Sequence, residues 1–253
     1  MARQLRYENK MFWRNPAAAF FTFVFPLMFL VIFNLVFGGD TTDRYGLDRE
    51  VSVSNFYVPA IAAFAVITAC YTNIAIGLAF SRDEGQLKRL RGTPLPAWVY
   101  MTARVAHAVV VAIILVVIVV GFGRVFYDVT VPAGRIGVLL ISLSVGAACF
   151  ASLGIAATVM IPNPDAAPAV VNATILPLLF ISDIFIPLER APHWLTTFSD
   201  VFPIKHFSHA LDHAYNYPRG TGLYADDLIV MGIWFVIGLV IAVRFFSWEP
   251  RVS

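Results

Sequence analysis

Val105–Gly123 reads VAHAVVVAIILVVIVVGFG, a run in which His107 is the only ionisable side chain. A soluble helix of this length shows a polar face returning every ~3.6 residues; this run has none. It approaches the ~20 residues a helix needs to cross a bilayer core of ~30 Å. Five more runs share its character: Ala17 to Phe37, Phe56 to Phe80, Ile136 to Ile161, Ala166 to Leu188 and Leu228 to Val243. Within all six, His107 and Asp183 are the only ionisable residues. At 13% charged residues the chain cannot coat so much apolar surface in water. The expected fold is therefore all-α, a polytopic membrane protein with six transmembrane helices.

Its 253 residues suit one helical bundle, a single transmembrane domain over 1–253. A net charge of +2 gives no reason to expect nucleic acid as a partner. Cys70 and Cys149 both lie inside apolar runs and read as free packing thiols. Arginine outnumbers lysine 15 to 3, which suits a GC-rich bacterial genome. The first run ends Phe37-Gly38-Gly39-Asp40 without a small-x-small cleavage site and reads as a retained helix. With the N-terminus inside, the cytoplasmic pieces carry 11 Lys and Arg in 54 residues, against 7 in 71 outside. By the positive-inside rule both termini are cytoplasmic.

Arg3, Arg6, Lys10 and Arg14 fall within about 80° on a helical wheel, a narrow cationic stripe with Leu5, Phe12 and Trp13 to one side. The pattern predicts an N-terminal helix in the inner membrane interface, its cations near anionic lipid headgroups. It also fits a plain positive flank of the first span. Between the second and third spans, Ser81-Arg82-Asp83-Glu84 has capping-box spacing, Lys88, Arg89 and Arg91 suit a helix C-terminus, and Gly92 and Pro94 suit its end. A short helix over about Arg82 to Arg91 is predicted, with Leu87 and Leu90 on one face. So small a helix must dock, either on a cytoplasmic partner or on its own membrane helices.

On the outer side, Pro203 through Tyr217 reads as an amphipathic helix. Ile204, Phe207, Leu211, Ala214 and Tyr215 take one side and His206, His209 and His213 the other. With Trp194 and Phe198 before it, this segment of 187–227 reads as interfacial or re-entrant helix. The histidines, with Asp212, have a spacing that could converge on a metal or form a solvated polar face; the expected reading is no metal. No nucleophile or acid–base constellation accompanies them.

The fourth span repeats small residues at four-residue spacing: Ser142 and Gly146, Ala147 and Ala151, and Ala148, Ser152 and Ala156. These rows favour close helix packing. The fifth carries Pro168, Asn172, Thr174, Pro177, Ser182 and Asp183. Its freed carbonyls need protein or water neighbours. Asn172, Pro177 and Asp183 are the pathway or gate candidates, Asp183 either lining a cavity or wet at the outer interface near Arg190. There is no internal repeat, and no phosphate loop ending in Gly-Lys-Ser/Thr. Uphill transport by this chain would need a motor on another polypeptide.

Three blocks resemble the ABC-2 type permeases, the membrane subunits of ATP-driven drug and lipid exporters. They are Trp13-Arg14-Asn15-Pro16 before the first run, Glu84-Gly85-Gln86-Leu87 through Leu90 to Thr93-Pro94-Leu95, and Ser182 through Pro187 to Pro192-His193-Trp194-Leu195. Asp183 stands where that family commonly has glycine. The resemblance spans essentially the whole chain. It implies a permease paired with a second permease chain, identical or paralogous, in the bacterial plasma membrane. It also implies a separate cytoplasmic ATP-binding subunit that carries ATP and Mg, with no cofactor and no catalytic residue on this chain. Glu84, Gly85, Leu87, Leu90, Thr93 and Pro94 would form the coupling segment, and the substrate would be hydrophobic or amphipathic. Two other readings stand beside it: a stand-alone secondary transporter or channel, and a membrane enzyme or scaffold using the outer histidines.

Overall fold

A computed structural model describes residues 2–14, 16–37, 41–42, 51–93, 96–131, 133–182, 184–185, 192–216 and 223–248. Eleven α-helices lie among them. In chain order they are α1 (Ala2–Trp13), α2 (Pro16–Phe37), α3 (Val53–Ile67), α4 (Asn73–Asp83), α5 (Gln86–Arg91), α6 (Ala97–Tyr127), α7 (Ile136–Ala157), α8 (Ala167–Phe180), α9 (His193–Ser199), α10 (Pro203–Asn216) and α11 (Ala225–Phe245). A two-residue ribbon pairs Thr41 with Ser52 and Thr42 with Val51 ahead of α3.

Among the described residues, five segments are long and apolar enough to cross a membrane: Ala19–Val36, Ser54–Asp83, Trp98–Tyr127, Ala133–Ala157 and Ala225–Phe245. The expected sixth, Ala166 to Leu188, is shorter as a helix. α8 has 14 residues and gives way to a turn at Ile181 and Ser182. Asp183, Pro187 and Arg190 lie outside the described residues, as does Pro94.

The second span is one continuous rod because α3 and α4 are joined by a π-helical turn, Thr68–Thr72, in which the Asn73 amide reaches back to the Thr68 carbonyl. That widened turn faces α7, the central helix of the bundle. α7 packs on α6, α10 and α11 and on the π turn. Its small residues permit this. A Cβ on Gly154 would stand 2.8 Å from the Tyr71 carbonyl oxygen and 3.0 Å from that of Cys70. On Gly146 it would stand 2.2 Å from the Phe207 ring of α10. Opposite α7, Gly238 of α11 gives room to Ser152, whose hydroxyl donates to the Cys149 carbonyl and, at 3.3 Å, to that of Phe235. The small residues of the fourth span therefore form the seam along which α7 packs on α10, α11 and the π turn.

The outward faces of α2, α6 and α11 keep large apolar side chains exposed, among them Phe21, Leu35, Val117, Val125, Ile229 and Val243. Such faces are stable only against lipid or another apolar surface.

Candidate functional site

The chain from Phe80 to Thr93 differs locally from its expected form. α4 does not stop before Ser81; its hydrogen-bond ladder runs on until the Glu84 amide donates to the Phe80 carbonyl at 3.0 Å. Ser81 is buried in that last turn, so the Ser81–Glu84 capping box is not formed. The break falls at Gly85, whose φ of +68° lies in the left-handed region that glycine enters without a Cβ penalty. α5 then starts at Gln86, not at Arg82, and Gly92 closes it in the right-handed region instead of as a left-handed cap.

Two side chains explain the position of the break. Arg82 turns inward and is 3% exposed; its guanidinium donates to the Thr158 carbonyl at 3.2 Å and the Ile161 carbonyl at 2.6 Å. These carbonyls follow the end of α7, where helix oxygens lack intrahelical partners. Leu87 is 2% exposed and belongs to the chain's own core, and Leu90 is half-buried against it. Of the two docking alternatives for this face, the chain's own helices take Leu87. Lys88, Arg89 and Arg91 are the exposed cations of α5.

The N-terminal helix is also held by a residue that its cationic stripe conceals. Glu8 is 3% exposed and pairs with Arg104 of α6 at 3.2 Å, where Arg104 also donates to the Tyr100 hydroxyl. Trp13 stacks on Phe23 of α2 at 5.7 Å. Arg6, Lys10 and Arg14 point away from these contacts and are exposed; the Arg3 side chain lies outside the described residues.

α1 and α5 thereby border one groove of about 590 Å³. Lys10, Arg14 and Tyr7 line one side and Gln86, Arg89, Leu90 and Thr93 the other. Two groups of residues 80 positions apart in sequence meet here. Glu84 stands just beyond, its Oε2 accepting from Gln86 at 2.6 Å.

The pathway candidates sit elsewhere. α8 buries Ala167, Val171, Ile175 and Leu179 and exposes Asn172 and Pro177 on its other side. Its Thr174 hydroxyl meets the Tyr71 hydroxyl of the π turn at 2.7 Å. The proline-rich, amide-bearing face of α8 thus has no cover from the described residues of this chain.

At the opposite end, two of the α10 histidines converge on a carboxylate from another helix, and only His209 stays exposed. Asp227, buried at the start of α11, receives His206 Nδ1 at 2.7 Å on one oxygen and His209 Nδ1 at 2.8 Å on the other. His213 is buried, its ring 3.9 Å from that of His209. Asp212 turns instead to the Asn216 side-chain amide, 2.8 Å away. No group of three potential metal ligands forms among the described residues. The arrangement is a strut tying α10 to α11, completed by the Trp234 indole donating to the Val201 carbonyl at 2.8 Å. Asp227 escaped the sequence reading because an acid in a helix's first turn has a sufficient explanation in the dipole.

His206 Nε2 faces the Asp200 carbonyl at 2.8 Å. Both ring nitrogens therefore face acceptors, an arrangement met by the doubly protonated ring. The Asp227 hydrogen bond accordingly raises the His206 pKa above its ordinary value, against the opposing effect of burial. A raised histidine pKa stabilises the fold fully below the unfolded value of ~6.5, and that contribution is lost as pH rises through the folded value. Thermal melts of the purified protein should show this component fading on the alkaline side. Asp227→Asn should flatten the dependence; an unchanged profile would exclude the strut as its source.

Comparison with known proteins agrees with this architecture. The ABC-2 type transporter family profile matches residues 4–215. The daunorubicin resistance ABC transporter permease protein DrrB1 of Streptomyces coeruleorubidus is 27% identical over 221 residues, covering 81% of this chain and 70% of that protein. The putative transport permease YvfS of Bacillus subtilis is 20% identical over 207 residues, 82% of each chain. The probable multidrug ABC transporter permease YbhR of Escherichia coli is 23% identical over 153 residues, 60% of this chain and 41% of that one. With a family match over most of its length and five membrane-length apolar helices, the chain belongs to the ABC-2 type transporter family, as a multi-pass membrane permease.

Proposed function

We propose that this chain is the transmembrane subunit of an ATP-driven exporter in a bacterial plasma membrane, with both termini cytoplasmic. In this reading a separate ATP-binding subunit carries ATP and Mg. The observation that carries it is the groove between α1 and α5, which gathers Lys10, Arg14, Arg89, Leu90 and Thr93 at the end of the bundle where α4 turns. Its cations suit an acidic surface on the motor subunit. Leu87 and Arg82 have a different role from the partner contacts: Leu87 seats α5 in the chain's own core and Arg82 ties the end of α4 to the end of α7, so that a push on α5 reaches the bundle core.

The exposed face of α8, with Asn172 and Pro177, is where a second permease chain, identical or paralogous, would complete the pathway. The relatives named for daunorubicin resistance and multidrug transport support a hydrophobic or amphipathic substrate.

Charge reversal tests the groove. Lys10 and Arg89 are exposed, so Lys10→Glu with Arg89→Glu should leave the fold intact and reduce co-purification of the ATP-binding subunit at least tenfold. Undiminished recovery of that subunit with the doubly reversed chain would place its docking surface elsewhere.

A further inference from the structure

A second crevice, of about 520 Å³, lies between α1, α4 and α6, with both members of the Glu8–Arg104 pair on its wall. Its walls are mostly apolar, with Phe12 of α1 and Phe80 of α4 among them. Three charged residues line it: Glu8, Glu84 and Arg104. Arg104 is matched by Glu8 at 3.2 Å, which leaves the Glu84 carboxylate as the excess charge, hydrogen-bonded to the neutral Gln86 amide. Arg89 approaches Glu84 only at its backbone carbonyl.

Two further features mark the crevice as built for a guest. His107 lies on its wall, its ring 5.8 Å from that of Phe12, and its buried Nε2 has no hydrogen-bond partner among the described residues. A buried polar atom without a partner is costly. Gly77 sits midway along the α4 wall, and a Cβ placed there would meet nothing within 4 Å. Glycine in a helix interior costs about 0.5–1 kcal/mol relative to alanine, so an open glycine here keeps space in the crevice and contributes no packing.

We propose that this crevice binds lipophilic amines. The apolar body lies along the aromatic walls of Phe12 and Phe80, where a cation is also favoured by the ring faces, and the ammonium group is directed to the Glu84 end. The inference rests on the transport reading for its purpose and names a substrate class and an entry site within this chain. A non-lipid amine and the amine headgroup of phosphatidylethanolamine share this chemistry.

The test is direct binding to the full chain in phosphatidylcholine nanodiscs, with the fluorescent amine quinacrine as probe and the uncharged dye Nile red as its counterpart. Quinacrine should bind saturably. Gly77→Leu should weaken it at least tenfold with no loss of thermal stability, Gly77→Ala should have an intermediate effect, and Glu84→Gln should weaken quinacrine but not Nile red. Nanodiscs containing phosphatidylethanolamine separate the sources: competition with quinacrine makes the lipid an occupant of the same site, and its absence restricts the site to non-lipid amines. Quinacrine binding that is indifferent to Gly77→Leu, or no tighter than that of Nile red, would overturn the proposal. Since no motor subunit is present in this assay, failure of the transport reading would show separately, as the lack of any co-purifying ATPase.

Discussion

Arg82→Ala is expected to destabilise the protein by about 3 kcal/mol and to uncouple it. The substitution strips the buried Ile161 carbonyl of its guanidinium donor and leaves the Thr158 carbonyl only the Ile161 amide at 3.3 Å, and an unsatisfied buried acceptor costs about 1–3 kcal/mol. The mechanical consequence is greater than the energetic one. Arg82 stands one turn before Gly85 and is the polar link between the α4–α5 elbow and the end of α7. Without it, α5 can move while α7 stays still. ATP hydrolysis by a bound motor subunit should then persist while substrate movement falls at least tenfold. Arg82→Lys keeps the charge but lacks the guanidinium's two-pronged reach, and should fall between the two. Parallel loss of assembly, hydrolysis and transport in proportion to unfolded protein would reduce Arg82 to a purely structural anchor.

Among the described glycines, Gly154→Ala should be one of the most damaging single-methyl changes, sharply reducing accumulation of folded protein in the membrane. The added Cβ would meet the carbonyl oxygens of Tyr71 and Cys70 and the Tyr71 Cα, all backbone atoms of the π turn. Overpacking costs about 1–3 kcal/mol where side chains can yield; here none of the three nearest atoms belongs to one. Gly146→Ala provides the contrast. Its nearest neighbour is the Phe207 ring, so Gly146→Ala with Phe207→Leu should recover much of the stability lost by Gly146→Ala alone. A double-mutant cycle measures that coupling. No side-chain truncation at Cys70 or Tyr71 should rescue Gly154→Ala in the same way. If Tyr71→Ala did, α7 and the π turn would be held apart by side chains, and the seam described here would be wrong.

The spans were legible because uninterrupted apolar runs such as Val105–Gly123 leave a helix no aqueous face, and the α7 rows because small residues at four-residue spacing allow only close approach. Less legible were the places where one polar residue changes sides. Glu8 lies among exposed cations and reads as part of a solvated stripe, yet it is the residue that anchors α1 to α6. Arg82 looked like the start of a new helix because its neighbours form a valid capping box. What overrides that box is a pair of carbonyls 76 and 79 residues away. The choice between Gly85 and Gly92 as the left-handed glycine depends on how far the α4 ladder continues, which tertiary contact decides. The α10 histidines showed the same difficulty in reverse: three on one arc look like a metal set or a wet face until Asp227 is brought against them from another helix.

The central claim is that this chain forms a transport pathway powered by another polypeptide. Its most direct test is to reconstitute the chain with its co-purified ATP-binding subunit in sealed vesicles and follow a lipophilic dye after adding Mg-ATP. The account predicts dye movement that requires both the second subunit and hydrolysable ATP, and that stops on Lys10→Glu with Arg89→Glu. Equal movement by the pure chain under an ion gradient, with ATP and the second subunit making no difference, would contradict it and make the chain a secondary carrier.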